Sequence, residues 1–141
     1  MNNYTVIQLL PGVSGIKQAY ELSLTSKEVD IVCLSNNYEQ VVGDYFTRVY
    51  SPKLYGGSIK TREILPDNFE NREYAKKKDG IKNQVRFLKV SEPSESDYLI
   101  FDNQLVLISY NPDSPFALVI NDKNIVGNLK NQFEILWSKL L

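Results

Sequence analysis

The 141-residue chain has no histidine. That absence excludes Ser-His-Asp and Cys-His catalysis, histidine-ligated metals and any imidazole proton shuttle. A single cysteine, Cys33, excludes intrachain disulfides and multi-cysteine zinc sites. Neither sign of charge dominates: 16 basic and 17 acidic residues leave a net charge of -1. A nucleic-acid binder working by bulk charge is strongly basic, so that class is disfavoured. Long apolar runs are also missing, and none approaches the ~18 residues of a membrane span. The N-terminus, MNNYTVIQLLPG, lacks a basic region, and Gln8 breaks its short apolar run, unlike a signal peptide. These features predict a cytoplasmic protein without membrane partners, and a lone unpaired thiol suits a reducing compartment.

What is present is an ordinary globular composition, 43% hydrophobic and 23% charged, at a length suited to one compact domain over residues 1–141. Short apolar runs alternate with amphipathic stretches. Tyr4–Leu10 reads as a strand. Val13, Ile16, Ala19, Tyr20 and Leu24 recur at helical spacing over Val13–Thr25. Val29–Leu34 reads as a buried strand, Glu39–Tyr50 as a helix ended by Gly56-Gly57, and Ile59–Leu65 as a third strand. A short polar helix over Asn68–Lys78 and a strand over Val85–Val90 follow, then an acidic loop, Ser91–Asp97. Tyr98–Phe101 and Leu105–Tyr110 form a hairpin signal around Asp102-Asn103-Gln104. Ala117–Ile120 is the last strand. Asp122 can cap a closing helix with the stripe Val126, Leu129, Phe133, Leu136, Trp137 and Leu140. This order predicts an α/β sandwich with a mixed sheet flanked by helices.

Seven basic residues lie between Arg72 and Lys89. They form either an anion patch or, more simply, a solvated helix face beside a strand. In an open α/β sheet ligands bind beyond the carboxyl ends of the strands. That rule selects Ser35, Asn36 and Asn37 after the second strand, Pro66 to Asn68 after the third, and Asn111 after the hairpin. Amides and hydroxyls there suit a neutral polyhydroxyl or amide ligand, although Ser-Asn-Asn is also a plain turn. Arg62, a charge inside an alternating strand, either points to solvent or pairs in a pocket. Trp137, near the chain end, offers apolar surface for a symmetric homodimer. Cys33 reads as an inert core thiol. No glycine-rich nucleotide motif and no selected carboxylate pair is present, and no cofactor or metal is expected.

Five blocks carry a resemblance. They are the G-x-x-G-I-K segment Gly12–Lys17, the R-x-I strand Arg62–Ile64, the strand Val85–Leu88, the hairpin from Asp102 to Ser109, and Phe133-Glu134-Ile135-Leu136-Trp137. In that order they resemble the C-terminal effector domain of TrmB-like transcriptional regulators. The resemblance implies a phospholipase-D-like α/β sandwich with a closing C-terminal helix. It also implies a small-molecule effector, with sugars as effectors of some members, and DNA contact only through a separate N-terminal winged helix that this chain is expected to lack.

Phospholipase-D-like enzymes use H-x-K-x4-D followed by G-S-x-N, in which histidine attacks phosphorus and lysine and asparagine hold the phosphate. The resemblance places Asp102 at the aspartate and Ser109 and Asn111 in the second stretch, with Glu95 at the histidine position and Asp97 at the lysine position. Two acids there repel a phosphate, so a non-catalytic binding scaffold is expected, with Ser35, Asn36, Asn37, Arg62, Asp102, Ser109 and Asn111 as candidate ligand residues. Equally, Asp102-Asn103 is simply a tight turn and Ser109 a strand residue. The alternative function is a degenerate scaffold kept as a protein-interaction or dimerisation module.

Overall fold

The structure, a computed structural model, describes residues 5–141. In chain order the elements are β1 (Val6–Pro11), α1 (Gly12–Ser23), β2 (Glu28–Cys33), α2 (Tyr38–Val42), a π-helical turn (Phe46–Tyr50) running into α3 (Ser51–Gly56), β3 (Lys60–Pro66), α4 (Phe69–Ala75), β4 (Asn83–Leu88), β5 (Ser96–Phe101), β6 (Gln104–Ser109), β7 (Phe116–Asn121) and α5 (Lys123–Lys139). The seven strands form one mixed sheet in the order β1-β7-β6-β5-β2-β3-β4. β2, β3 and β4 run parallel, whereas β5, β6, β7 and β1 pair antiparallel.

The central strands are apolar on both faces, because helices cover both. One face packs Ile31, Leu99, Val106, Ile108 and Val119 under α1, α2 and α3, against Ile16, Tyr20, Val42, Tyr50 and Leu54. The other packs Val32, Ile64, Ile100 and Leu105 under Val126, Phe133 and Trp137 of α5. Burying side chains of this kind is worth about 1.5–3 kcal/mol each. Asp122 starts α5 as expected, its Oδ2 accepting from the Ile125 amide at 2.9 Å.

Gly15 fixes how α1 sits on β1. A Cβ there would lie 2.2 Å from the Leu10 carbonyl oxygen, so only glycine permits this approach. β1 is an edge strand without a charged residue, and Ile7 and Leu9 are 64% and 63% exposed.

Three sequence expectations need correction. The helix expected over Glu39–Tyr50 is broken after Val42 by Gly43 at φ +66°, then resumes as the π-helical turn and α3. The loop expected over Ser91–Asp97 ends early, because Ser96 and Asp97 already pair in β5 with Ser109 and Ile108. Trp137 is not a free apolar surface. It is 7% exposed, stacked on Phe133 and capped by the Arg62 and Arg86 guanidiniums. Tyr4, the expected start of the first strand, lies outside the described residues.

Candidate functional site

The three parallel strands end together, and their outgoing loops enclose an open groove of about 650 Å³. Ser35 and Asn36 leave β2, Pro66, Asp67 and Asn68 leave β3, and Val90 and Pro93 follow β4. Backbone pairing holds two of these loops side by side, since Ser35 bridges Ser94 and the Ser94 amide donates to the Leu34 carbonyl at 3.0 Å. Asn68 is partly spent as a helix cap, its Oδ1 accepting from the Asn71 amide at 2.8 Å. The charged residues lining the groove are Glu39, Asp67 and Glu70, with no lysine or arginine among them. Asp67 is neutralised from outside by Arg72, Nε to Oδ1 at 2.7 Å, which holds its carboxyl below the usual range.

A second, enclosed space of about 30 Å³ lies under α2 and α3, room for a single water. Tyr38 lines both it and the groove. The two spaces also meet at one hydrogen bond: Ser35, in the groove wall, donates its amide to Oδ1 of Asp97, in the chamber wall, at 3.2 Å. Two carboxyl groups are enclosed here, Glu63 at 4% exposure and Asp97 at 6%.

Tyrosines surround them. Tyr55 donates to Glu63 Oε1 at 2.7 Å and Tyr74 to the same oxygen at 3.3 Å, while the Lys78 ammonium lies over both phenol rings. Tyr20 and Tyr110 share a hydroxyl–hydroxyl bond, and Tyr50 donates to Ser23 Oγ at 2.6 Å, which itself donates to the Tyr20 carbonyl.

Burial pushes the Glu63 carboxyl up, opposed by the Tyr55 hydroxyl, Lys78 and Tyr74. Burial also pushes Asp97 up, opposed by its bonds from Ser35. The Cys33 thiol, beside both acids, is pushed well above its ordinary value, chiefly by burial.

The seven residues selected from sequence do not form one site. Ser35 and Asn36 line the groove. Asn37 lies buried behind them, its Nδ2 donating to the Tyr110 carbonyl at 3.2 Å and its Oδ1 without a protein partner. Arg62 sits on the α5 face of the sheet, committed to Asp30 and Glu134. Asp102 occupies the hairpin turn at φ +53°, beyond the amino end of β2, and borders a shallow hollow with Lys27 and Lys123. Ser109 pairs with Ser96 in the sheet, and Asn111 sits in an exposed turn, its Oδ1 accepting from the Asp113 amide at 3.1 Å. Neither reaches the groove lining.

Sequence reasoning missed Glu63, Tyr55 and Tyr74. The signal lay in β3: Thr61 and Glu63 share the face opposite Arg62, so a strand buried on both sides carries charge on both.

Five of the seven basic residues from Arg72 to Lys89 are engaged within the chain. Arg72 pairs with Asp67 over Phe87, Lys76 with Glu73, Lys78 lies on the tyrosine rings, Lys82 donates to the Gly57 carbonyl, and Arg86 caps Trp137. Among the described residues no group of three His, Cys, Asp or Glu could hold a metal ion, and no helix is long and apolar enough to cross a membrane.

No family model and no curated protein matches this sequence. Solved structures do match. TrmBL2, an archaeal chromatin protein with a novel mode of DNA binding, superposes at a TM-score of 0.60 and 16% identity, over 96% of this chain and 53% of that one. NucT from Helicobacter pylori gives 0.65 at 12% identity over 98% of this chain and 99% of its own. Nuc from Salmonella typhimurium, a phospholipase D family member, gives 0.62 at 12% identity over 98% and 97%. The fold is therefore the phospholipase-D fold, and the sequence resemblance to a TrmB-like effector domain holds at that level. The chain spans about half the length of TrmBL2.

Proposed function

We propose that residues 1–141 form one non-catalytic, cytoplasmic effector domain of the TrmB-like kind, binding a small polar metabolite in the groove where β2, β3 and β4 end. One observation carries this reading. Where the resemblance puts the histidine and lysine of the fold's hydrolases, this chain has Glu95 and Asp97, and Asp97 is buried with its carboxyl on the Ser35 amide. An acid there repels a phosphate and cannot stand in for the histidine nucleophile of that mechanism, which in this reading leaves the groove a binding role. Ser35, Asn36 and Asn71 present donors and acceptors suited to hydroxyl-rich ligands. In this reading DNA is contacted through a separate domain, and the ligand acts by favouring one arrangement of a homodimer.

The test has two arms. A panel of neutral sugars should raise the melting temperature of the chain in a thermal-shift assay, and Asn36→Trp, which fills the groove, should abolish the rise. Hydrolysis of bis(p-nitrophenyl) phosphate should not exceed buffer, and turnover sensitive to Asp97→Asn would refute the reading.

A second reading, a degenerate scaffold serving as a dimerisation module, is favoured by the uncharged open edge of β1 with Ile7 and Leu9 exposed. A dimer that forms in the absence of any ligand and dissociates in Leu9→Lys would support it.

A further inference from the structure

Resting on the effector reading, we infer that the ligand carries a primary ammonium group, which enters past Tyr38 and seats between Asp97 and Glu63 inside the tyrosine-lined chamber.

Four independent features lead there. First, the groove and the chamber are neighbours. Tyr38 belongs to the walls of both, and the Ser35–Asp97 bond spans the partition between them. A rotation of the Tyr38 ring, which is only half-buried, would join them into one pocket with a wide polar mouth and a narrow floor bordered by the two carboxyl groups.

Second, the lining has one electrostatic character. The mouth carries Glu39 and Glu70, with Asp67 already paired to Arg72, the floor borders on Asp97 and Glu63, and no basic side chain lines either space. This charge pattern favours a cationic over an anionic ligand.

Third, the chamber is walled by the rings of Tyr20, Tyr50, Tyr55 and Tyr110, whose faces attract cations and whose hydroxyls accept from an ammonium.

Fourth, the protein already seats an ammonium of its own near the Glu63 carboxylate. Lys78 Nζ lies 3.1 Å from the centroid of Tyr55 and 4.3 Å from that of Tyr74, the two residues that hydrogen-bond Glu63. Among the described residues no lysine or arginine lines the chamber that Glu63 borders.

The volume of the chamber selects among cations. About 30 Å³ holds one water-sized group. An –NH3+ group is of that size, and a quaternary ammonium is not. The remainder of the ligand stays in the groove, where Ser35 and Asn36 meet polar atoms.

The test uses the intact chain and 1,4-diaminobutane, with 1,4-butanediol as the neutral analogue, tetramethylammonium as the oversized cation, and glucose. Binding is followed by NMR titration of the tyrosine ring signals. The diamine should bind at least tenfold more tightly than the diol and than tetramethylammonium, shifting Tyr38, Tyr55 and Tyr110. Asp97→Asn should remove that preference. Tyr38→Ala should keep it while speeding association, which separates loss of the site from loss of the fold.

Equal affinity for diamine and diol overturns the inference. So does diamine binding that Asp97→Asn leaves unchanged, since that marks surface attraction alone. Glucose binding that Asn36→Trp abolishes, without any amine preference, overturns the inference but leaves the effector reading standing. Absence of binding by every probe overturns both.

Discussion

Arg62 and Asp30 face each other across β3 and β2 and are joined twice, Nε to Oδ1 at 2.8 Å and Nη2 to Oδ2 at 2.9 Å. The Asp30 side chain is only 5% exposed. Lys130 shares it, Glu134 holds the outer edge of the guanidinium, and Phe133 and Trp137 lie against the cation. This network fastens α5 to the sheet, so its members respond as a unit.

Arg62→Ala strands a buried carboxylate with a half-exposed lysine and should cost about 3 kcal/mol in urea denaturation. Arg62→Lys should recover only part of that, because an ammonium cannot make the paired contact.

Gly15→Ala should destabilise by about 2–3 kcal/mol, since the added methyl meets the Leu10 backbone and no side chain can yield. The same change at Gly127, where a Cβ meets nothing within 4 Å, should be neutral or stabilising. Comparing the two urea midpoints checks both.

Glu63 is faced by Tyr55 from α3, Tyr74 from α4, Lys78 just beyond it and Asp97 from β5. Its pKa in the folded chain is raised from 4.5, so its contribution to stability is complete below that value and is lost as pH rises through the folded pKa. Glu63→Gln, which keeps an acceptor for both tyrosines, should compare more favourably with the wild type at pH 7 than at pH 4. Denaturant midpoints at the two pH values give the comparison, and a constant difference would contradict the assigned direction.

Trp137→Ala should lower stability by about 3–5 kcal/mol without changing the association state, because the indole is covered by its own chain. Light scattering beside a melt distinguishes this from loss of an interface.

Asp102→Gly should stabilise by up to about 1 kcal/mol, because glycine meets no penalty at φ +53°. Groove binding should be unaffected, as Asp102 lies at the other end of the sheet.

Much of this architecture was legible from pattern. The strand order along the chain, the Asp122 cap and the α5 stripe follow from periodicity and turn chemistry, and each stands within two or three residues of expectation. The break after Val42 was not legible. The aromatic residues from Tyr45 to Tyr50 keep a helical look across it, while the change of winding depends on tertiary packing against Tyr20. For the site, the strand-end rule found Ser35 and Asn36 because it depends only on topology. It did not find Glu63, since that side chain lies within the strand and not beyond its end, and its partners Tyr55 and Tyr74 come from separate helices. Trp137 was misplaced for the same reason: its cover, Arg62 and Arg86, comes from strands more than fifty residues earlier.

The π-helical winding at Phe46–Tyr50 has a consequence for how this segment tolerates change in length. An ordinary helix advances about 100° per residue. Deleting one residue here would therefore swing Tyr50 roughly a quarter-turn from the Tyr20 ring it stacks on, at a 4.4 Å centroid separation, and uncouple its hydroxyl from Ser23. A stretch that scans as unremarkable amphipathic helix is thus bound to its residue count.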